Sequence, residues 1–115
     1  MQGRKYHNIK MEYNGVMYDS KKEAKRQYVL NMMERGGIIR DLERQKRFLL
    51  QEAFVNNKGE KIREISYIAD FYYYDNERGS LVVEDVKSPA TRTDVYRIKK
   101  KLFEKKYPEI LFFEV

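Results

Sequence analysis

Cysteine is absent from the 115 residues of the chain, which excludes disulfides, zinc–thiolate sites and cysteine nucleophiles. Histidine occurs once, as His7 in the polar, basic leader MQGRKYHNIK. A single histidine argues against a histidine-based metal centre and against a Ser–His–Asp triad. His7 reads as a solvated side chain or a phosphate contact. No apolar segment approaches the roughly 20 residues of a membrane span, and the leader lacks a signal-peptide h-region. The expectation is a soluble, cytoplasmic protein with no membrane partner. Internal repeats, low-complexity tracts and linkers are also missing.

What the chain has in quantity is charge. Charged residues make up 37% of it, and the net charge is +6. A basic balance of this kind favours a polyanionic partner, nucleic acid first. The length allows one domain, residues 1–115, with a genuine core and no room for a second. Residues 1–11 read as a flexible basic arm or a short strand.

A brief extended segment surrounds Asn14-Gly15, a strong turn dipeptide. Ser20 opens a helix that runs to about Arg35 and stops at Gly36-Gly37. Ser20 and Glu23 have the spacing of a capping box. Ala24, Tyr28 and Met32, widened by Val29 and Met33, form its apolar stripe, with Glu23, Gln27 and Leu30 on a neighbouring one. Ile38 to Leu42 predicts a short strand and Arg47 to Phe54 another. After the turn Asn56-Asn57-Lys58-Gly59, Lys61 to Tyr74 predicts a long strand. Thr91 or Thr93 caps a second helix from about Asp94 to Lys106. Its apolar stripe is Val95, Ile98, Leu102 and Phe103, and its basic stripe is Arg97, Lys101 and Lys105. Ile110 to Val115 closes the sheet. The order α-β-β-β-α-β predicts an α/β fold with a mixed central sheet and a helix on each side.

The stretch YIADFYYYDNERGSLVVEDVKS, beginning at Tyr67, organises the rest. Two runs rich in aromatic and β-branched residues flank a polar turn, which predicts a β-hairpin. A turn near Asn76 to Arg78 brings Asp70 and Asp85 opposite each other. Lys87 shares a strand face with Asp85, because side chains repeat every second residue. Two carboxylates in an apolar setting repel unless a cation or a proton intervenes. A lysine beside them cannot neutralise both; a divalent metal can.

An Asp, then Asp-x-Lys at the end of the following strand, then a helix, resembles the PD-(D/E)xK nuclease superfamily. Ala69-Asp70 and Asp85-Val86-Lys87 carry the resemblance, with Glu23 on the first helix. YDSKKEAKRQY, YIADFYYYD, VVEDVKS and KKKLFEKKY look more closely like a family of short, largely uncharacterised phage and prophage proteins assigned to that superfamily. The resemblance implies a restriction-endonuclease-like core and a metal-dependent DNA endonuclease. It implies Asp70, Asp85, the Val86 carbonyl and Glu23 as ligands of Mg²⁺ or Mn²⁺, and Lys87 beside the attacking water. A chain without a separate sequence-reading domain points to structure-selective cutting at junctions, branches or flaps, in phage recombination, replication or packaging. By analogy with small junction-resolving members, a homodimer follows. Ala69 stands where the family has proline, and the acidic member of the triplet is Asp rather than Glu.

Other readings stand beside these. Asp70 also reads as a buried group capping backbone amides, and Asp85 with Lys87 as an ordinary ion pair. The capping box explains Glu23 without catalysis. Glu84 faces away from Asp85 on an ideal strand, but a bulge exchanges their roles. Arg92, Arg97, Lys101 and Lys105 are candidate phosphate contacts, which position a nucleic acid without specifying its sequence; a solvated charged face explains them equally. Gln27, Tyr96 and the run Tyr72-Tyr73-Tyr74 are candidate substrate contacts, with packing as the simpler account. The alternative function is a non-catalytic nucleic-acid-binding or interaction module on the same fold.

Overall fold

The structure is a computed structural model that describes residues 10–115. His7 and the first nine residues of the expected basic arm lie outside the described residues. The described chain opens with a hairpin, β1 (Met11–Tyr13) paired with β2 (Val16–Tyr18). Asn14 and Gly15 turn it with φ of 53° and 76°, the left-handed pair that a two-residue hairpin of matching twist requires.

Helix α1 spans Lys21–Arg35. The Ser20 side chain accepts from the Glu23 N–H at 3.1 Å, satisfying one of the orphan amides of the first turn. The reciprocal half of a capping box is absent, because the Glu23 carboxylate turns away toward Arg44 and Gln45. Gly37, at φ 76°, ends the helix in the left-handed conformation that glycine adopts without strain. Ser20→Ala is expected to lower unfolding stability by about 1 kcal/mol, read from the urea midpoint. No change there would mean that water replaces the hydroxyl fully.

The central sheet has strand order β3 (Ile39–Gln51), β6 (Ile65–Asp75), β7 (Ser80–Asp85), β8 (Ile110–Glu114). Its first two pairings are antiparallel and β7–β8 is parallel, so the sheet is mixed. Helix α2 (Asp94–Lys106) makes the crossover that a parallel pair needs. A 3₁₀ turn, Pro89–Thr91, precedes α2, and Thr93 caps it by accepting from the Tyr96 N–H at 3.1 Å. A small side sheet pairs β4 (Phe54–Val55) with β5 (Lys61–Ile62) around the Asn56 turn.

Three expectations about the strands need correction. Ile38 to Leu42 and Arg47 to Phe54 are not separate strands: β6 offers a continuous partner, and β3 follows it with irregular register at Arg40/Glu43 and Leu49/Gln51. Asp41, at φ 58°, falls within the first of these shifts, and Gln45, at φ 56°, lies between them where the register is regular. Lys61 to Tyr74 is likewise not one strand, because the chain changes partner from β4 to β3 at Arg63-Glu64.

Val82 and Val83 are both fully buried and show the layering. Val82 packs with Leu30, Ile39, Phe71 and Tyr73 beneath α1, and Val83 with Phe48, Tyr67, Tyr96 and Phe103 beneath α2. A helix therefore covers each face, as expected. Phe103 meets Phe48, Tyr67 and Phe112 with ring centroids 5.0–5.6 Å apart, an aromatic cluster that fixes α2 on the sheet.

Strict alternation along β6 would keep Tyr67, Ala69, Phe71 and Tyr73 on one face. Tyr67 and Ala69 instead join the α2 cluster, while Phe71 and Tyr73 join the α1 cluster. The faces exchange at Asp70. Across the pairing, Arg44 opposes Phe71 and Lys46 opposes Ala69, so Gln45 with its left-handed φ sits opposite Asp70.

Both helices also lie differently from their apolar stripes. On α1 the buried residues are Glu23, Ala24, Gln27 and Leu30, and Tyr28, Val29 and Met32 face outward. Polar contacts choose that face: Glu23 meets β3, Arg26 meets Glu84, and Gln27 accepts from the Tyr18 hydroxyl. On α2 only Tyr96 and Phe103 are buried, and Val95, Ile98 and Leu102 face outward. The two aromatic rings offer more area to the sheet than the aliphatic stripe does.

Candidate active site

The hairpin β6–β7 runs with Phe71 opposite Glu84 and Tyr72 opposite Val83. One step further, where the ladder ends, the same register sets Asp70 opposite Asp85. Antiparallel neighbours in that relation share a face of the sheet. Asp85 is 3% exposed, and its Oδ2 accepts from the Tyr67 hydroxyl. Its Oδ1 lies 3.0 Å from Lys87 Nζ. Asp70 Oδ2 accepts from the Val86 N–H at 2.8 Å.

These groups line a cleft of about 210 Å³ together with Asp19, Ser20, Glu23, Thr91 and Tyr96. Backbone bonds hold its floor: Val115 N–H donates to the Asp85 carbonyl and Lys87 N–H to the Val115 carbonyl, both at 3.0 Å. Lys22 Nζ donates to the Lys87 carbonyl at 2.7 Å, tying α1 to the cleft wall. The Lys87 ammonium stands 4.0 Å from the centre of the Tyr96 ring, so the aromatic face and Asp85 fix its direction between them.

Burial pushes the Asp70 carboxyl up to about 7, and the Asp85 and Glu23 charges add to the rise against the opposing Val86 amide. Burial also raises Glu23; Arg44 opposes this, while Asp19 and Asp85 reinforce it. Burial and the Asp85 charge raise the Tyr67 hydroxyl, so it remains a donor across the ordinary pH range. The cleft thus gathers more negative charge than its surroundings neutralise.

Each residue singled out in the sequence has a place. Asp70, Asp85, Val86, Lys87, Glu23 and Tyr96 all line the cleft. The Glu23 carboxylate receives Arg44 Nη2 and Gln45 Nε2, each at 3.4 Å. Glu84 is on the opposite face, gripped by Arg26 at 2.6 and 2.7 Å and by the Tyr73 hydroxyl. Arg92 is engaged by Glu114, which also accepts from Tyr96. Arg97, Lys101 and Lys105 are exposed along α2, and Arg97 pairs with Asp94 at 3.3 Å. Gln27 is buried between Tyr18 and Asn31. Tyr72, Tyr73 and Tyr74 are wholly or half buried in the sheet.

Asp19, Tyr67, Thr91, Arg44 and Gln45 belong to the site or its support and were not picked out by sequence reasoning. Asp19 alone carried a visible signal, an acid directly before a helix cap. Tyr67 and Gln45 reach the site through the sheet register, which their neighbours in the chain do not reveal.

Asp70 and Asp85 fit a divalent cation as a two-carboxylate site. Their oxygens are hard donors, and Mg²⁺ accepts one or two carboxylates while keeping several waters. The Val86 carbonyl adjoins them. Among the described residues no three His, Cys, Asp or Glu side chains converge as a ready-made cage. Glu23 lines the same cleft, and its charge is felt by Asp70, as that of Asp85 is felt by Glu23.

Among the described residues no helix is long and apolar enough to cross a membrane. No curated protein and no solved structure matches the chain. A family model described as protein of unknown function (DUF1064) matches residues 3–113, and the chain belongs to that family.

Proposed function

We propose that the protein is a metal-dependent DNA endonuclease with a restriction-endonuclease-like core. The observation that carries this reading is that Asp70 and Asp85 line one cleft with Lys87, whose Nζ lies 3.0 Å from Asp85 Oδ1. Buried like charges that leave one carboxyl near pH 7 are costly to a fold and suited to chemistry.

Asp70 and Asp85 would hold Mg²⁺ or Mn²⁺, with the Val86 carbonyl beside them. When bound, the cation supplies charge neutralisation at a phosphate oxygen and lowers the pKa of water. Lys87 orients the attacking water and counters the charge that grows on the phosphate. Tyr67 keeps the Asp85 carboxylate pointed into the cleft. Tyr96 and Thr91 form its far wall and limit solvent entry. Glu23, fixed by Arg44 and Gln45, adds negative potential at the mouth of the cleft.

The net charge of +6 and the exposed Arg97, Lys101 and Lys105 on α2 suit a nucleic-acid backbone. Such contacts neutralise phosphates and carry no sequence information. Preference for junctions, branches or flaps fits a domain of this size.

The test is cleavage of labelled linear, flapped and four-way-junction DNA with Mg²⁺, Mn²⁺ or EDTA. Metal-dependent products are expected, and Lys87→Ala should lower their rate about 10²–10³-fold with DNA binding kept. Salt-sensitive binding with no products on any substrate would instead establish the non-catalytic module.

A further inference from the structure

Both helices carry a large apolar stripe on their outer side. Tyr28, Val29 and Met32 on α1, and Val95, Ile98 and Leu102 on α2, are each at least 40% exposed. Apolar side chains repeated on successive turns of one helix mark a contact surface. The charges bordering each stripe decide what can cover it.

On α1 the stripe is bordered by Lys21, Lys25 and Arg35, so a second copy laid against it would set like charges together. The α2 stripe differs. At about 100° per residue, Val95, Ile98 and Leu102 fill one sector of the helix. Asp94, Lys101 and Lys105 fall together along one border of that sector. When two such helices pack antiparallel about a two-fold axis, like borders meet with their ends reversed. Asp94, at the start of α2, then faces Lys101 and Lys105 of the partner subunit, and the contact occurs twice. The Asp94 side chain is 94% exposed and meets Arg97 at 3.3 Å.

Shape agrees with charge. A groove of about 420 Å³ runs between α2 and the start of β6, with Val95, Ile98 and Leu102 on one wall and Ile65 on the other. Aliphatic side chains of a facing helix can enter it. Glu64 and Lys99 both line this groove, so the second border also carries both signs. Tyr96 and Phe103 lie about 100° further round α2, against the sheet.

We infer that α2 is a self-association surface on which two copies of the chain pair antiparallel, with Ile98 at the centre and Asp94–Lys105 contacts at both ends. The inference is independent of the chemistry proposed for the cleft. Three aliphatic side chains per copy fall short of the roughly 800 Å² per partner of a standard interface. The dimer is therefore weak, with Kd of roughly 10–100 µM.

Sedimentation of the whole chain in EDTA, without nucleic acid and across concentrations bracketing that range, tests it. Ile98→Glu should weaken association at least about tenfold. Asp94→Lys and Lys105→Glu should each weaken it about two- to fivefold. Combined in one chain, the two charge changes should recover part of it, because positions 94 and 105 again carry opposite charges across the axis while Lys101 is unchanged. Circular dichroism confirms that each variant is folded. A wild type that stays monomeric throughout, or a combined variant no better than the single ones, overturns the inference. So does a dimer that Val29→Glu abolishes and Ile98→Glu leaves intact, since it would belong to α1.

Discussion

Asp70→Asn will melt above the wild type at pH 8 in EDTA, by roughly 5–10 °C, while losing all Mg²⁺-dependent cleavage. The two effects have one cause. Folding raises the Asp70 carboxyl from the ordinary 3.8 to about 7, first by burial and then through the Asp85 charge. The folded state therefore binds a proton more tightly than the unfolded chain. The stability contributed by that proton is fully present below the unfolded value and is lost as pH rises through about 7. A rise of this size corresponds to at most about 4 kcal/mol; backbone relaxation and water entry reduce it, and about 2 kcal/mol is expected.

Asparagine keeps an oxygen for the Val86 N–H and replaces the repelling charge by a neutral amide that can donate to Asp85. Melts taken from pH 4 to 9 should therefore converge at the acid end and separate toward the alkaline end. Mg²⁺ should narrow the gap by stabilising the wild type alone, since the site proposed for it needs both folded carboxylates. If the variant is no more stable at pH 8, the Asp70 charge is already compensated within the fold. The physical case for a cation would then fail.

Glu84 gives the opposite result. Glu84→Ala is expected to cost about 3–5 kcal/mol, a large part of the 5–15 kcal/mol typical of a domain. The carboxylate is 1% exposed and accepts two bonds from Arg26 and one from Tyr73. Removing it leaves Arg26, whose side chain is 29% exposed, with an unpaired and largely desolvated charge. That partial exposure points to the lower half of the range. Asp85→Asn, one position along, should abolish cleavage with far less effect on the urea midpoint. Glu84→Leu combined with Arg26→Met and Tyr73→Phe should recover most of the loss, because an apolar set of similar volume escapes desolvation and leaves no hydroxyl unpaired. A Glu84→Ala variant within about 1 kcal/mol of wild type would mean that water enters and solvates Arg26.

The contrast between these neighbours follows from a register legible in the sequence. The polar turn after Asp75 fixes how β6 and β7 align, and alignment alone places Asp70 opposite Asp85 with Glu84 behind. The order of elements and the cap at Ser20 were legible for the same reason, since each depends on residues close in the chain. The faces of the helices were not. Arg26 meets Glu84 across 58 positions, and Arg44 meets Glu23 across 21. Those polar contacts, with the aromatic packing of Tyr96 and Phe103, outweigh the local apolar period. The unity of β3 was hidden because Gln45 is not a residue type that announces a left-handed backbone. Tyr67 was hidden among strand aromatics, where its hydroxyl contact depends on a neighbouring strand.

The irregular backbone of β3 has a bearing on solubility. Thirteen residues long and paired among the described residues with β6 alone, β3 is an edge of the kind on which foreign strands nucleate. Its two left-handed residues, Asp41 and Gln45, break that edge into short pieces that no straight strand can follow. Arg40, Arg44, Lys46 and Arg47 on this strand are each paired with a carboxylate, of Asp41, Glu23, Glu43 and Glu64, so it is the poor fit that deters an approaching copy. The bend that brings Gln45 to the candidate site also protects the sheet from growing.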